Sequence, residues 1–459
     1  MLTGARAGTP ANPPKGATPK QEGLFDGVDD EAGRLVMERA RQRIEEIRKR
    51  DFTVRLVDER GRPVEGASEI HLVRHAFQLG AAMTATLRLK PGNKGYEARK
   101  AALEAVKELF NVATINCHWG PTAPTKDGPF DWRETDEQMA WALGNGLRPR
   151  MHALIYMNEG YTPKWHKEVR STEEWWELID RRIGAVAERY GDKYIEYDLI
   201  NETLFQGKWL KENCPLFPRY DDPQTGARIA RIARKYLPKA TFFPLDQFLP
   251  TLYKGNAWFQ DYVAYCRRLI ELGTPIDGIG YQAHFYTGKP SFQEGHWTAG
   301  PDAFRMKAIE EGLDHLASLS KPIYITEFNP PSRDGKKKTP DQARLSDEEV
   351  AAWSDNFYTL VFSKPYLREL TRWFVIDTVG GRGIDAGLVT LDGKKKPSYF
   401  ALKKLLTETW STRWKGQLSG GSVSLRGFYG TYEARAAAGA PARFEVAPDG
   451  PAAIAIRLV

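Results

Sequence analysis

A chain of 459 residues, 41% hydrophobic and 27% charged, has room for one large domain with small additions and enough apolar material for a sizeable core. Its net charge of +7 comes from 66 basic and 59 acidic residues interleaved along the chain. The short lysine runs at 336–338 and 394–396 therefore read as solvated loop charge, not as a nucleic-acid stripe. No apolar run approaches a membrane span, and three cysteines (Cys117, Cys214, Cys266) without a C-x-x-C pair exclude a complete disulfide framework.

Residues 1–27, rich in Pro, Gly, Ala and Lys, read as a disordered arm, and no signal peptide is visible in them. Residues 28–74 form an N-terminal helix and β-unit: a charged helix over 29–49, then FTVRLVDERGRPVEGASEIHLV, whose alternation around a Gly-Arg-Pro turn predicts strands. From 75 to 410, β-rich runs at 75–83, 112–119, 148–156, 194–202, 241–248, 278–285, 322–329 and 370–377 alternate with amphipathic helices. Ser171 with Glu174, and Ser346 with Glu349, are capping-box signatures. Eight alternations predict an α/β fold, a (β/α)8 TIM barrel, over a doubly wound sheet, and no G-x-G-x-x-G or Walker sequence follows any strand. Residues 411–459 return to short strands with Gly turns, so the chain ends are expected to pair into a small accessory β-sandwich-like unit.

A barrel of this kind carries its site at the C-terminal ends of the strands. The fourth run ends in Asn201-Glu202, the sixth in Gln282-Ala-His284 and the seventh in Thr326-Glu327. His118 and Trp119 end the second, His152 lies on the third, Asp246 on the fifth, and Trp373 and Asp377 on the eighth. Two carboxylates, Glu202 and Glu327, facing each other across a barrel mouth suit cleavage of a glycosidic bond. A separation of about 5–5.5 Å gives retention and about 6.5–9.5 Å inversion, and the sequence carries no distance. The 13 Trp would suit a cleft that stacks sugars. No H-E-x-x-H or close ligand pair marks a metal site among His118, His152 and His284.

The segments Tyr197-Asp198-Leu199-Ile200-Asn201-Glu202, Ile325-Thr326-Glu327-Phe328-Asn329, Gly278-Ile279-Gly280-Tyr281-Gln282-Ala283-His284 and Arg150-Met151-His152 resemble, in order, four motifs of glycoside hydrolase family 10. That family comprises the endo-β-1,4-xylanases of a clan of retaining barrels; its corresponding motifs read W-D-V-V-N-E, I-T-E-L-D, G-I-G-x-Q-x-H and R-G-H. The resemblance covers residues 75–405. It implies Glu202 as acid/base, Glu327 as nucleophile, Asn201 on the 2-hydroxyl of the sugar, His284 bonded to the nucleophile and keeping it ionised and aimed, and Gln282 and His152 near sugar or carboxyl.

Departures from the family pattern concentrate where the sugar is selected. The family's N-E-M-K-W becomes Ile115-Asn116-Cys117-His118-Trp119, so a glutamate is Asn116 and a sugar-binding lysine is His118. L-V-W-H becomes Leu154-Ile155-Tyr156-Met157, and the tryptophan that follows the eighth-strand motif at Trp373 is absent. Tyr156, Trp165, Tyr286 and Trp297 are candidates for rebuilt subsites. The expected function is retaining, endo-acting hydrolysis of xylan or a related β-1,4-linked polysaccharide, without metal or organic cofactor. The alternatives are a clan relative acting on another β-glycan or decorated oligosaccharide, and an idle carbohydrate-binding barrel. The expected partner is a polysaccharide or oligosaccharide substrate, with no nucleic acid and no membrane. A secreted or periplasmic location follows from that function.

Overall fold

The computed structural model describes residues 25–28, 30–83, 91–247, 257–286, 304–332, 345–377, 385–437 and 439–458. Nearly all of the arm expected at 1–27, the lysine run at 336–338 and Trp297 lie outside the described residues. The first helix, α1 (Glu31–Ile47), starts at Asp30, whose carboxylate accepts the Gly33 N–H, and it buries Val36, Met37, Ala40 and Ile44 on one face. Strands β1 (Lys49–Val57) and β2 (Gly66–His75) follow.

The chain then alternates strand and helix. In order these are β3 (Gln78–Ala82), α2 (Tyr96–Leu109), β4 (Val112–Asn116), the short α3 (Trp119–Thr122), α4 (Arg133–Gly144) and β5 (Arg148–His152). Next come α5 (Thr172–Tyr190), β6 (Glu196–Asn201), α6 (Thr203–Asn213), α7 (Pro223–Tyr236), β7 (Thr241–Gln247) and α8 (Ala257–Glu271). The series ends with β8 (Ile279–Gln282), β9 (His284–Tyr286), α9 (Met306–Ala317), β10 (Ile323–Ser332), α10 (Asp347–Phe362), β11 (Leu367–Arg372) and α11 (Pro397–Lys404).

The strands β3, β4, β5, β6, β7, β8, β10 and β11 pair in that order, all parallel, and β11 returns to β3. This is a closed (β/α)8 barrel, with β9 extending β8 along the edge of β10. Burial on both faces explains the unbroken apolar runs: every residue of β6 and β8 is buried. The second glycine of G-I-G has a packing reason, since a Cβ on Gly280 would lie 2.8 Å from the Phe243 ring of the neighbouring strand.

Ser346 and Glu349 form a reciprocal capping box at the start of α10. At α5 the box is incomplete: Ser171 accepts the Glu174 N–H, but the Glu174 carboxylate reaches past it to the Arg170 N–H at 2.7 Å. The eighth strand ends at Arg372, earlier than its apolar run predicts, so Trp373 and Asp377 lie beyond it.

After the barrel come β12 (Arg413–Leu418), β13 (Ser422–Phe428), β14 (Gly430–Ala436), β15 (Ala442–Val446) and β16 (Ala453–Arg457). They join the N-terminal strands in two sheets, ordered β13-β1-β16 and β12-β2-β14-β15. Although adjacent in sequence, β1 and β2 enter different sheets. Phe52, Val54 and Leu56 of one sheet and Ile70, Tyr432 and Phe444 of the other bury a common core, as in a sandwich. The sandwich is tied to the barrel by Arg48, which donates to the Phe362 and Lys364 carbonyls at 2.7 Å, and by ring contacts of His75 with Phe362 and Phe428. No helix among the described residues is long and apolar enough to cross a membrane.

Candidate active site

Strand β6 ends at Asn201 and α6 begins at Thr203, leaving Glu202 to turn the chain with left-handed backbone angles, φ 55° and ψ 45°. Few residues other than glycine take this conformation, and it persists where the surroundings over-determine it. Here the Glu202 N–H donates to the Leu245 carbonyl of β7 at 2.8 Å. Asp246, next along β7, accepts the Leu204 N–H at 2.7 Å and the Gln247 N–H at 2.8 Å. Burial pushes the Asp246 carboxyl up to about 7 against the pull of those donors.

The Glu202 carboxylate, turned into the barrel mouth, accepts the Gln206 side chain at 2.6 Å and Gln282 Nε2 at 3.1 Å, with Tyr156 beside it. Gln282 Nε2 also reaches Asn201 Oδ1 at 3.3 Å. That contact orients the Asn201 amide so that Nδ2, a buried donor, has no hydrogen-bond partner among the described residues.

Glu327 in β10 is buried, with Oε2 3.2 Å from His284 Nε2 and Oε1 3.7 Å from His152 Nδ1. Oε1 has no hydrogen-bond partner among the described residues. Burial pushes this carboxyl up to about 8; His152 pulls it back, and Glu202 pushes it further. The expectation that His284 keeps Glu327 ionised therefore meets an opposing burial effect. His152 Nδ1 lies 2.6 Å from Asp198 Oδ2, and Asp198 also pairs with buried Arg150. Burial pulls His152 down, but Glu327 and Asp198 outweigh it and its net direction is upward.

At the rim, the His118 ring stacks on Tyr161 at 3.7 Å and meets the edge of His152 at 5.1 Å. Burial and the nearby His152 and Arg182 charges hold His118 well below the usual imidazole range, so it presents a neutral ring where the family has a lysine. Its Nδ1 is buried without a hydrogen-bond partner among the described residues. Tyr156 and Trp373 pack at 5.8 and 5.0 Å from the His152 ring, and Asn116 pairs with His152 by strand register.

Two expected rim aromatics lie elsewhere. Trp119 is 1% exposed and packs edge-on against Trp165 and Trp175, in the layer between barrel and α5. Trp165 is buried in the same cluster and donates to the Ala123 carbonyl at 2.9 Å. Asp377 belongs to a loop network in which it accepts the Gly387 N–H and faces Lys396.

Residue-by-residue reading missed Tyr161, Gln206 and Asn329. Gln206 could have been found as the i+4 neighbour of Glu202 on α6. Asn329, two residues beyond Glu327, points to the same side of β10 and touches His284 at 2.7 Å. Nothing in the segment after β5 marks Tyr161.

Residues 72–405 match the family model described as Glycosyl hydrolase family 10. The anti-sigma-I factor RsgI6 of Acetivibrio thermocellus is 27% identical over 404 residues, 86% of this chain and 46% of that protein. Endo-1,4-beta-xylanase A of Caldicellulosiruptor saccharolyticus is 26% identical over 296 residues, 60% of this chain and 79% of that protein. Against RsgI6 and endo-1,4-beta-xylanase 2 of Arabidopsis thaliana, the chain spans less than half of the relative's length. The solved structure of xylanase 10B from Thermotoga petrophila RKU-1 in complex with xylobiose superposes with a TM-score of 0.57 at 18% identity, covering 72% of this chain and 94% of that one. At that identity the superposition speaks for the barrel alone, whereas the family match takes in both Glu202 and Glu327 and most of the chain: this protein belongs to glycosyl hydrolase family 10.

Proposed function

We propose that the chain is a retaining glycoside hydrolase cutting within xylan or a related β-1,4-linked polysaccharide, with Glu202 as acid/base and Glu327 as nucleophile. One observation carries the reading. Two buried carboxylates, one just past β6 and one on β10 three strands further round the barrel, are held by Gln282 at the end of β8, on Glu202, and by His284 at the start of β9, on Glu327. The substrate class draws on the relatives, one named an endo-1,4-beta-xylanase and one structure containing xylobiose.

In this mechanism Glu202 protonates the leaving oxygen while Glu327 Oε1, which no described residue hydrogen-bonds, attacks the anomeric carbon. Glu327 Oε2 stays tied to His284, which fixes the aim of the attack. Glu202, then ionised, takes a proton from the water that displaces Glu327, and the anomeric configuration is kept. Asn201 Nδ2 supplies an unused donor for the sugar's 2-hydroxyl. The reactive state needs the proton on Glu202 and not on Glu327; positive charge building on the sugar favours that distribution. A polymeric substrate places the reaction outside the cytoplasm.

A second reading, a glycan-binding barrel without turnover, draws on the upward push on Glu327 and on a relative named an anti-sigma-I factor. Reducing-sugar release from xylan, arabinoxylan, β-glucan and mannan, with Glu327→Ala as control, separates the two. Cleavage by wild type alone, with retained anomer by proton NMR, supports the hydrolase. Binding of a glycan without cleavage supports the second reading.

A further inference from the structure

His284 is held at both ring nitrogens. Its Nε2 faces Glu327 Oε2 at 3.2 Å, and its Nδ1 faces Asn329 Nδ2 at 2.7 Å. The Asn329 amide is not free to turn over. Its Oδ1 accepts the backbone N–H of Phe374 at 2.9 Å, and a backbone N–H can only donate. The atom facing His284 must therefore be the NH2 group, so Nδ1 receives a hydrogen bond and carries no proton. The single ring proton sits on Nε2 and points at Glu327. The Asn329 N–H donates to the Ala283 carbonyl at 3.0 Å, which holds the two strand segments in this register. His284, Glu327 and Asn329 are all buried.

We propose that Asn329 is a positioning residue that locks His284 as a neutral Nε2–H donor, so that Glu327 is aimed by a hydrogen bond and receives no positive charge from His284. The proposal rests on the reading of Glu327 as nucleophile. A second proton on His284 would set an N–H against the Asn329 NH2, two donors in contact. Among the described residues, the charged groups that act most strongly on Glu327 are His152 and Arg150 of β5, Asp198 of β6 and Glu202 at the head of α6. The positive charge among these groups stands on the β5 side, where Asp198 already engages both His152 and Arg150. The acidic limb of activity accordingly lies at higher pH than it would with a doubly protonated His284.

Asn329→Asp reverses the lock. One oxygen of the introduced carboxylate accepts the Phe374 N–H and the other accepts a proton from His284 Nδ1. The test uses the full chain in two arms. In the first, nitrogen NMR of the substrate-free protein with labelled histidine, assigned with His284→Gln, is followed from about pH 5 to about pH 8. Wild-type His284 is expected to stay singly protonated at Nε2 throughout, and Asn329→Asp to show both nitrogens protonated. Wild-type His284 taking up a second proton near about 6.5, as a free imidazole does, would overturn the lock. In the second arm, kcat/KM on p-nitrophenyl β-xylobioside is measured against pH. The acidic limb of Asn329→Asp is expected about one pH unit or more below wild type, because an opposite charge now stands beside Glu327. An unmoved limb with a doubly protonated His284 would overturn the link to Glu327. Should wild type cleave no glycoside at all, the nucleophile reading falls, while the first arm still decides the state of His284.

Discussion

Replacing Glu327 with Gln removes a carboxyl whose ionisation the fold opposes. Burial lifts it from 4.5 to about 8, with His152 pulling down and Glu202 pushing up, so the folded state holds this proton more tightly than the unfolded chain. The stability this contributes is fully present below the unfolded value and is lost as pH rises through the folded one. At about 1.4 kcal/mol for each pH unit, the full loss above about pH 8 approaches roughly 5 kcal/mol, an upper figure because the site relaxes. Glu327→Gln keeps the shape and the acceptor for His284 but has nothing to ionise. Urea unfolding across a pH series should find it equal to wild type near about pH 4.5 and more stable by about 2–4 kcal/mol near about pH 8. A stability difference that stays constant from acid to alkaline pH would refute the reasoning, because ionising Glu327 would then cost the fold nothing. The same variant should cleave no glycan, an instance of an active site trading stability for chemistry.

Three further outcomes are expected. Glu202→Ala should depress hydrolysis of natural glycans by about 100-fold or more, yet leave activated aryl glycosides much less affected, because a good leaving group needs little protonation; equal losses on both substrates would remove Glu202 from the acid role. Asn201→Ala, which deletes a buried donor that no described residue engages, should lower kcat/KM by about 10–100-fold, the worth of about 1.4–2.8 kcal/mol of lost hydrogen bonding, with the melting temperature little changed. Leu56→Ala, in the shared core of the two terminal sheets, should destabilise the chain by about 2–4 kcal/mol without changing kcat on a soluble substrate; a matching fall in kcat would show that the sandwich shapes the active site.

The barrel was legible in the sequence because a parallel strand buried on both faces must be apolar along its length. Each of the eight runs contains or overlaps its barrel strand, and the polar residues that interrupt them, Asn201, Glu202, Gln282, His284 and Glu327, gather at one mouth. A strand's end fixes the height of a residue in the barrel but not the direction of its side chain. Trp119 and His118 are neighbours just past β4 and part company, one into the layer under α5 and the other onto Tyr161. The pairing of the chain ends could be anticipated from their alternating pattern, whereas the assignment of β1 and β2 to different sheets depends on strands more than 350 residues further on. The electrostatics of the site belong wholly to the tertiary structure. Glu327 rises because its neighbours exclude water, and the proton on His284 is placed by Asn329, which is itself turned by a backbone N–H at Phe374. The order of residues supplies the chemical groups; which proton each group holds depends on burial and on partners that only folding brings together.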